Sequence, residues 1–191
     1  VALTEDELIL SARSGNMQAY ESLVRSYQNL AWKTALVILR HPDDAEDAVQ
    51  SALVKAWQHL DSFRAGSPFR PWLLRIVANE AKNLRLSRQR KEGRTADIAD
   101  HHELRAADPD PERSLLIAER SRELVRLINE LPETDRLMIH CRYVLQLSEP
   151  EIADVLEIAR GTVKSRLHRA IARLREIQET NNAGSHQEVI Q

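Results

Sequence analysis

Alternation of apolar and polar residues over a useful length is missing from this 191-residue chain, so strands are not expected. Glycine is scarce, at five residues, and aromatics make up only 4%, which suits an all-helical protein with few tight turns. A single cysteine, Cys141, excludes an internal disulfide, and its apolar surroundings (LMIHCRYVLQL) mark it as a small core residue. No apolar run approaches the ~18 residues of a membrane span. No basic-then-apolar segment begins the chain, and the two absences together point to the cytoplasm. No Ser/His/Asp arrangement, glycine-rich phosphate loop or paired-carboxylate constellation stands out, so neither an enzyme nor a cofactor is expected. His101-His102 and His140 lack a third ligand at metal-binding spacing, so no metal is expected. A net charge of −2 argues against a uniformly basic coat, and the informative feature is how the charge is segregated.

The richest segment is Leu147 to Arg175, LSEPEIADVLEIARGTVKSRLHRAIARLR. Ser148 with Glu151 three residues later forms a capping box, and Pro150 falls in the first turn, where a missing N–H costs little. Ile152, Ala153, Val155 and Leu156 give this helix an apolar stripe. Residues 157–160 make a short connection, and Gly161-Thr162 opens a second helix. There, Val163, Leu167, Ala170, Ile171 and Leu174 fall on one face. Ser165 and Arg169 centre the opposite face, flanked by Thr162, His168 and Arg173, with Lys164 and Arg166 at its borders. Six Lys or Arg and no acid lie between Arg160 and Arg175. A solvated basic surface helix would share this composition, but few such helices follow a short turn and a second amphipathic helix. The pattern is that of a helix-turn-helix with its recognition helix in a major groove.

Upstream, Thr4 and Glu7 form another capping box for a short helix stopped near Gly15. A helix capped by Asn16 is expected from about Met17 to Leu39, broken by His41-Pro42. A third begins at Asp43 or Asp44, and a fourth runs from near Pro71 to about Arg90 after a loop over 61–68. Between Thr95 and Glu112 there are six acids and one base, Arg105, around Asp108-Pro109-Asp110-Pro111, which reads as a mobile acidic linker. Helices resume near Glu112, and the polar tail beyond Thr180 is expected to fray. The organisation is therefore two small helical domains, residues 1–94 and 113–180, joined by a linker over 95–112 and followed by a tail over 181–191.

Two further charge blocks stand out. Between Arg70 and Arg94 there are eight Lys or Arg against two acids, just behind Phe63, Phe69 and Trp72, and Asn79 and Asn83 share a helix face. Basic residues near exposed aromatics and amides suit single-stranded nucleic acid, where bases stack. The alternative is that Phe69 and Trp72 are core and the charges merely solvated, and Trp72 itself fits a core position. Four of the five residues from Asp43 to Asp47 are acidic, more than helix capping requires, which suggests a partner-binding surface.

Taken in order, DAEDAVQSALVKAWQHLDSF, FRPWLLRIVANEAKN, the acidic linker and LPETDRLMIHCRYVLQLSEPEIADVLEIARGTVKSRLHRA resemble a bacterial extracytoplasmic-function sigma factor over about residues 5 to 178. The resemblance implies core RNA polymerase as partner, through the clamp of its largest subunit and the flap of the second. Docking would use Asp44, Glu46, Asp47, Gln50, Lys55 and Trp57. It implies recognition and melting of a minus-10 element by Phe63, Arg64, Phe69, Trp72, Arg75, Asn79, Lys82 and Asn83, with the loop over 62–70 holding a flipped base. It implies minus-35 readout by Arg160, Thr162, Lys164, Ser165, Arg166, His168, Arg169 and Arg173. It further implies a stress-response role and an anti-sigma factor, often membrane-anchored. The family pattern is departed from at Ser51 and Leu53, where Glu and Phe are common, and at Ala159-Arg160, where Pro-Val is usual. An ordinary helix-turn-helix regulator that binds an operator without polymerase remains the alternative.

Overall fold

The computed structural model describes residues 3–64, 66–91 and 123–187, and every regular element among them is helical. The expected linker over 95–112, with His101 and His102, lies outside the described residues. Helix α1 spans Glu5–Arg13, starting at the Thr4 capping box, and α2 spans Met17–Arg25, capped by Asn16. The single helix expected from Met17 to Leu39 is in fact two, because the chain turns at Ser26-Tyr27 before α3, Gln28–Leu39. Helical backbone angles persist through that corner, so periodicity alone does not reveal it. Arg40 ends α3 in the left-handed region, α4 covers Pro42–Gln58, and a 3₁₀ turn, Leu60–Ser62, closes it. Helix α5 runs from Phe69 to Lys91.

In the second half, residues 123–130 form α6 and Glu133–Ile139 form α7. The helix expected to continue to Leu145 instead widens into a π-turn over His140–Val144, where the Leu145 N–H donates to His140 O at 3.0 Å. Helix α8, Glu149–Leu156, opens with the Ser148–Glu151 capping box. Helix α9 spans Arg160–Gln187, so the frayed tail expected beyond Thr180 is helical through Gln187. Its backbone continues a long ladder in which each added residue gains a bond cheaply.

The two halves share a core. Ala35 and Ile38 of α3, Ala48 of α4 and Leu74, Val77 and Ala81 of α5 pack in one cluster with Leu137, Met138, Cys141, Ile152, Val155 and Val163. A second cluster inside the first half joins Leu23, Leu60, Phe63, Phe69 and Leu73. Polar bonds reinforce the shared surface. Arg136, buried on α7, donates to Leu131 O at 2.8 Å in its own half and to Val37 O at 3.3 Å across it. Thr34 Oγ1 lies 3.3 Å from His140 Nε2, and Arg85 is ion-paired with Glu133. Burial, with the Lys33 charge adding to it, lowers the His140 imidazole to about 4. Burial likewise raises the Cys141 thiol to about 12, Lys82 notwithstanding.

Candidate nucleic-acid and polymerase interfaces

The helix-turn-helix is built by α8 and α9. Val163 and Ala170 anchor α9 inward, both at 0% exposure, and this turns the opposite face to solvent. Arg160, Lys164, Ser165, His168 and Arg169 are exposed there, with Thr162 and Arg166 half-buried at the margins. Gly161, Lys164, Ser165, His168 and Arg169 line a shallow open concavity. Intrahelical bonds set two of these side chains, as Ser165 Oγ donates to Thr162 O at 3.0 Å and Arg169 Nε to Ser165 O at 3.4 Å. Arg173 differs, because it is ion-paired with Asp135 of α7 and braces the domain. The turn between the helices is made by Glu157 at φ +53°, a left-handed position where glycine is the easier residue. Its carboxylate leaves the motif altogether and accepts from Asn79 Nδ2 of α5 at 3.2 Å.

The second basic site lies on α5. Its aromatics are structural: Phe63 is 2% and Phe69 0% exposed, and the two rings pack edge-on at 5.5 Å, with Trp72 5.2 Å from Phe63. This corrects the expectation that Phe63 and Phe69 offer open stacking surfaces, because in a chain with few aromatics these rings fill the core beneath the loop. Trp72 is half-buried, as its core-like position suggested. Arg64 and Asn83 are exposed, and Arg75, Asn79 and Lys82 are half-buried along one side of α5. Helix α8 packs along the edge of that side, placing Glu151 3.8 Å from Arg70 and Glu157 on Asn79. Burial pushes the Glu151 carboxyl up, but hydrogen bonds from Ser148 and the Arg70 charge outweigh it and leave it below the usual range.

On α4, Glu46, Asp47 and Gln50 are exposed, and Asp43, Asp47, Gln50 and the 57%-exposed Val54 form a stripe at helical spacing. Three residues expected on this surface are engaged elsewhere. Asp44 is 4% exposed and ion-paired with Arg88 of α5, because its position in the helix turns it inward. Lys55 Nζ donates to Glu80 Oε1 at 2.6 Å, and the Trp57 ring lies 5.0 Å from Tyr20. Reasoning from sequence passed over Glu151 and Glu157 as neighbours of α5 and Arg13 as a brace for the loop after α4. Each reads locally as an ordinary cap, turn or helix-end residue. Among the described residues, no group of three or more His, Cys, Asp or Glu is placed to hold a metal ion.

Residues 23–92 match sigma-70 region 2, and residues 121–174 match sigma-70 region 4. The ECF RNA polymerase sigma-E factor of Escherichia coli strain K12 is 36% identical over 178 residues, spanning 88% of this chain and 91% of that protein. The chain belongs to the ECF RNA polymerase sigma factors. The Haemophilus influenzae sigma-E factor is 34% identical over 177 residues, 88% of this chain and 92% of that one. The sigma factor RpoE from Bartonella quintana, solved in complex with the anti-sigma factor NepR, superposes with a TM-score of 0.69 at 26% identity, over 85% of this chain and 98% of that one. CnrH, solved in complex with the cytosolic domain of CnrY, gives 0.66 at 26% identity, over 92% and 97%. As a sigma factor, the chain binds core RNA polymerase and directs it to promoters for initiation, and it is not an enzyme. The region 2 match removes the alternative of an operator-binding regulator with a sensor domain in its first half. Among the described residues, no helix is long and apolar enough to cross a membrane.

Proposed function

We propose that this sigma factor divides its work between residues 1–94, which dock on polymerase and melt the minus-10 element, and residues 113–180, which read the minus-35 element. The carrying observation is the open concavity on α9, whose lining includes Lys164, Ser165, His168 and Arg169. A basic, hydrogen-bonding face held out by a buried stripe presents donors to base edges and phosphates at once. Arg160 and Arg166 would add phosphate contacts at its ends, while Arg173 keeps α9 oriented through Asp135.

The exposed Asp43–Asp47–Gln50–Val54 stripe of α4, with Glu46 beside it, supports docking on a basic surface of the polymerase clamp. The minus-10 strand would run along Arg75, Asn79, Lys82 and Asn83, with the loop over 62–70 taking an extruded base. Phe63, Phe69 and Trp72 support that loop from beneath. In the closed arrangement Asn79 holds Glu157 and Arg70 faces Glu151. A DNA strand must displace these carboxylates, so promoter engagement requires α8 to leave α5. Polymerase, by binding both halves at separate places, supplies the free energy for that opening. An anti-sigma factor would oppose it by holding the closed pair, and the Bartonella quintana sigma factor RpoE is itself solved in complex with an anti-sigma factor, NepR. The protein would then act in the cytoplasm, retained at the membrane only through such a partner.

Co-elution with core polymerase, followed by run-off transcription on a genomic promoter library, tests this reading. Stoichiometric binding and new start sites sharing two spaced elements support it. Binding to polymerase with start sites that share only one element would overturn the division of labour.

A further inference from the structure

Arg13 ends α1 and is separated by 47 to 50 residues from the groups it binds. Its Nε donates to Leu60 O at 3.2 Å, and Nη2 donates to Asp61 O at 2.6 Å and Phe63 O at 2.7 Å. These carbonyls belong to the turn that closes α4 and leads into the loop of the proposed minus-10 site. A helix end leaves its last carbonyls without intrahelical partners, and a cationic fork satisfies several at once. Only a guanidinium offers donors in that fixed planar spread, whereas a lysine supplies a point charge.

The same loop is held at its other end. Phe69 is fully buried and packs on both Phe63 and Trp72. Within it, the Ser67 N–H donates to Arg64 O at 3.1 Å, and Gly66 takes φ +76° with nothing within 4 Å of where a Cβ would sit. Arg64, Gly66 and Pro68 are exposed on the outer side. The loop therefore has a fixed floor of aromatic rings, and its start is tied down by a residue outside the matched region 2, which begins at residue 23.

We propose that Arg13 is a positioning residue for base capture: by holding the carbonyls of Leu60, Asp61 and Phe63 it sets the loop between Phe63 and Phe69 in the shape that receives an extruded minus-10 base. This rests on the assignment of base capture to that loop. Extrusion costs a few kcal/mol, and a loop that must first be ordered returns less of it on binding. Arg13 pre-pays that ordering from α1, away from the DNA.

The test uses full-length protein in holoenzyme with core polymerase. Open-complex formation is followed by permanganate reactivity on a promoter and on versions carrying single abasic sites along the non-template minus-10 strand. For the unsubstituted protein, one abasic position should sharply reduce opening and so identify the captured base. Arg13→Gln should lower opening on the intact promoter roughly tenfold, the scale of one charge-assisted hydrogen bond. On the template abasic at the captured position it should match the unsubstituted protein, because the base that Arg13 serves is gone. Arg13→Lys should fall between the two on the intact promoter, and it carries the test if Arg13→Gln fails to bind polymerase. Equal losses on intact and abasic templates, or no loss on either, would overturn the positioning role. Insensitivity of the unsubstituted protein to every abasic site would instead remove base capture from the loop itself.

Discussion

The two surfaces proposed to meet nucleic acid in this sigma factor are presented differently. On α9 the basic face is open, and its centre, Ser165 and Arg169, is bonded only to its own helix. On α5 the corresponding side is bordered by α8, with Asn79 bonded to Glu157 and Arg70 facing Glu151. The difference follows from geometry: α9 needs only one stripe to fix it, whereas α5 packs against α3 and α4 on one flank and α8 on another. A surface proposed to meet double-stranded DNA can stand open, because duplex is rigid and would find it directly. The surface proposed for single strands is bordered by α8 of the other half, which under that reading must move before a strand can lie along it.

The comparison breaks most readily in the shared core. Leu74 of α5 has 0% exposure in the cluster that contains residues of both halves. Leu74→Ala should cost about 2–5 kcal/mol. Both halves should lose stability together, read by tryptophan fluorescence for the first and amide hydrogen exchange in α9 for the second. Loss confined to the first half would mean that the halves do not share a core in solution.

His140 supplies the next effect. Its imidazole titrates near 4 when folded, against an ordinary value of 6.5, because burial disfavours the charged form. The unfolded chain thus binds more protons between these values, and the stability that depends on neutral His140 is intact above pH 6.5. It is lost as pH falls from 6.5 toward 4, by about 3 kcal/mol in total. Urea unfolding should show the unsubstituted protein losing stability more steeply than His140→Gln as pH falls across that range, because the variant lacks this titrating group. Parallel curves would show that the imidazole is solvated, and the interface looser than described.

On the open side, Arg169→Ala should weaken minus-35 binding by about 1–3 kcal/mol while leaving the unfolding midpoint nearly unchanged. Footprinting of holoenzyme on promoters altered in that element reads the first, and thermal unfolding the second. Unaltered promoter preference would remove Arg169 from the readout. The smallest effect belongs to the covered side. Glu157→Gln removes a charge from an exposed hydrogen bond to Asn79, and such contacts contribute about 0.2–1 kcal/mol. Affinity of the free protein for a minus-10 single strand should rise a few-fold, without change for a scrambled strand. A fall in affinity would show that Glu157 does not compete with DNA.

Much of this was legible beforehand. The capping boxes at Thr4 and Ser148 mark helix starts because two reciprocal bonds need only a fixed spacing of three residues. The outward face of α9 was readable because a buried stripe dictates its opposite. The roles of Phe63 and Phe69 were less so, since an aromatic beside a basic run looks the same whether its ring faces solvent or a neighbouring ring. Asp44 belongs to an acidic block that reads as a partner-binding surface, to which the family resemblance assigns polymerase, and only the position of Arg88 across the bundle explains its burial.

By itself the sequence determined the helical class, the capped helix starts at Thr4, Asn16 and Ser148, the helix-turn-helix, the charge segregation and the family, since all of these depend on residue types at short, fixed intervals. Tertiary structure alone decided the contacts made over long separations. These are the shared core, the carboxylates of α8 against α5, the Thr34–His140 pairing and the grip of Arg13 on three distant carbonyls. Each depends on where two distant elements come to rest, and that is set by packing summed over the whole core rather than by any local pattern.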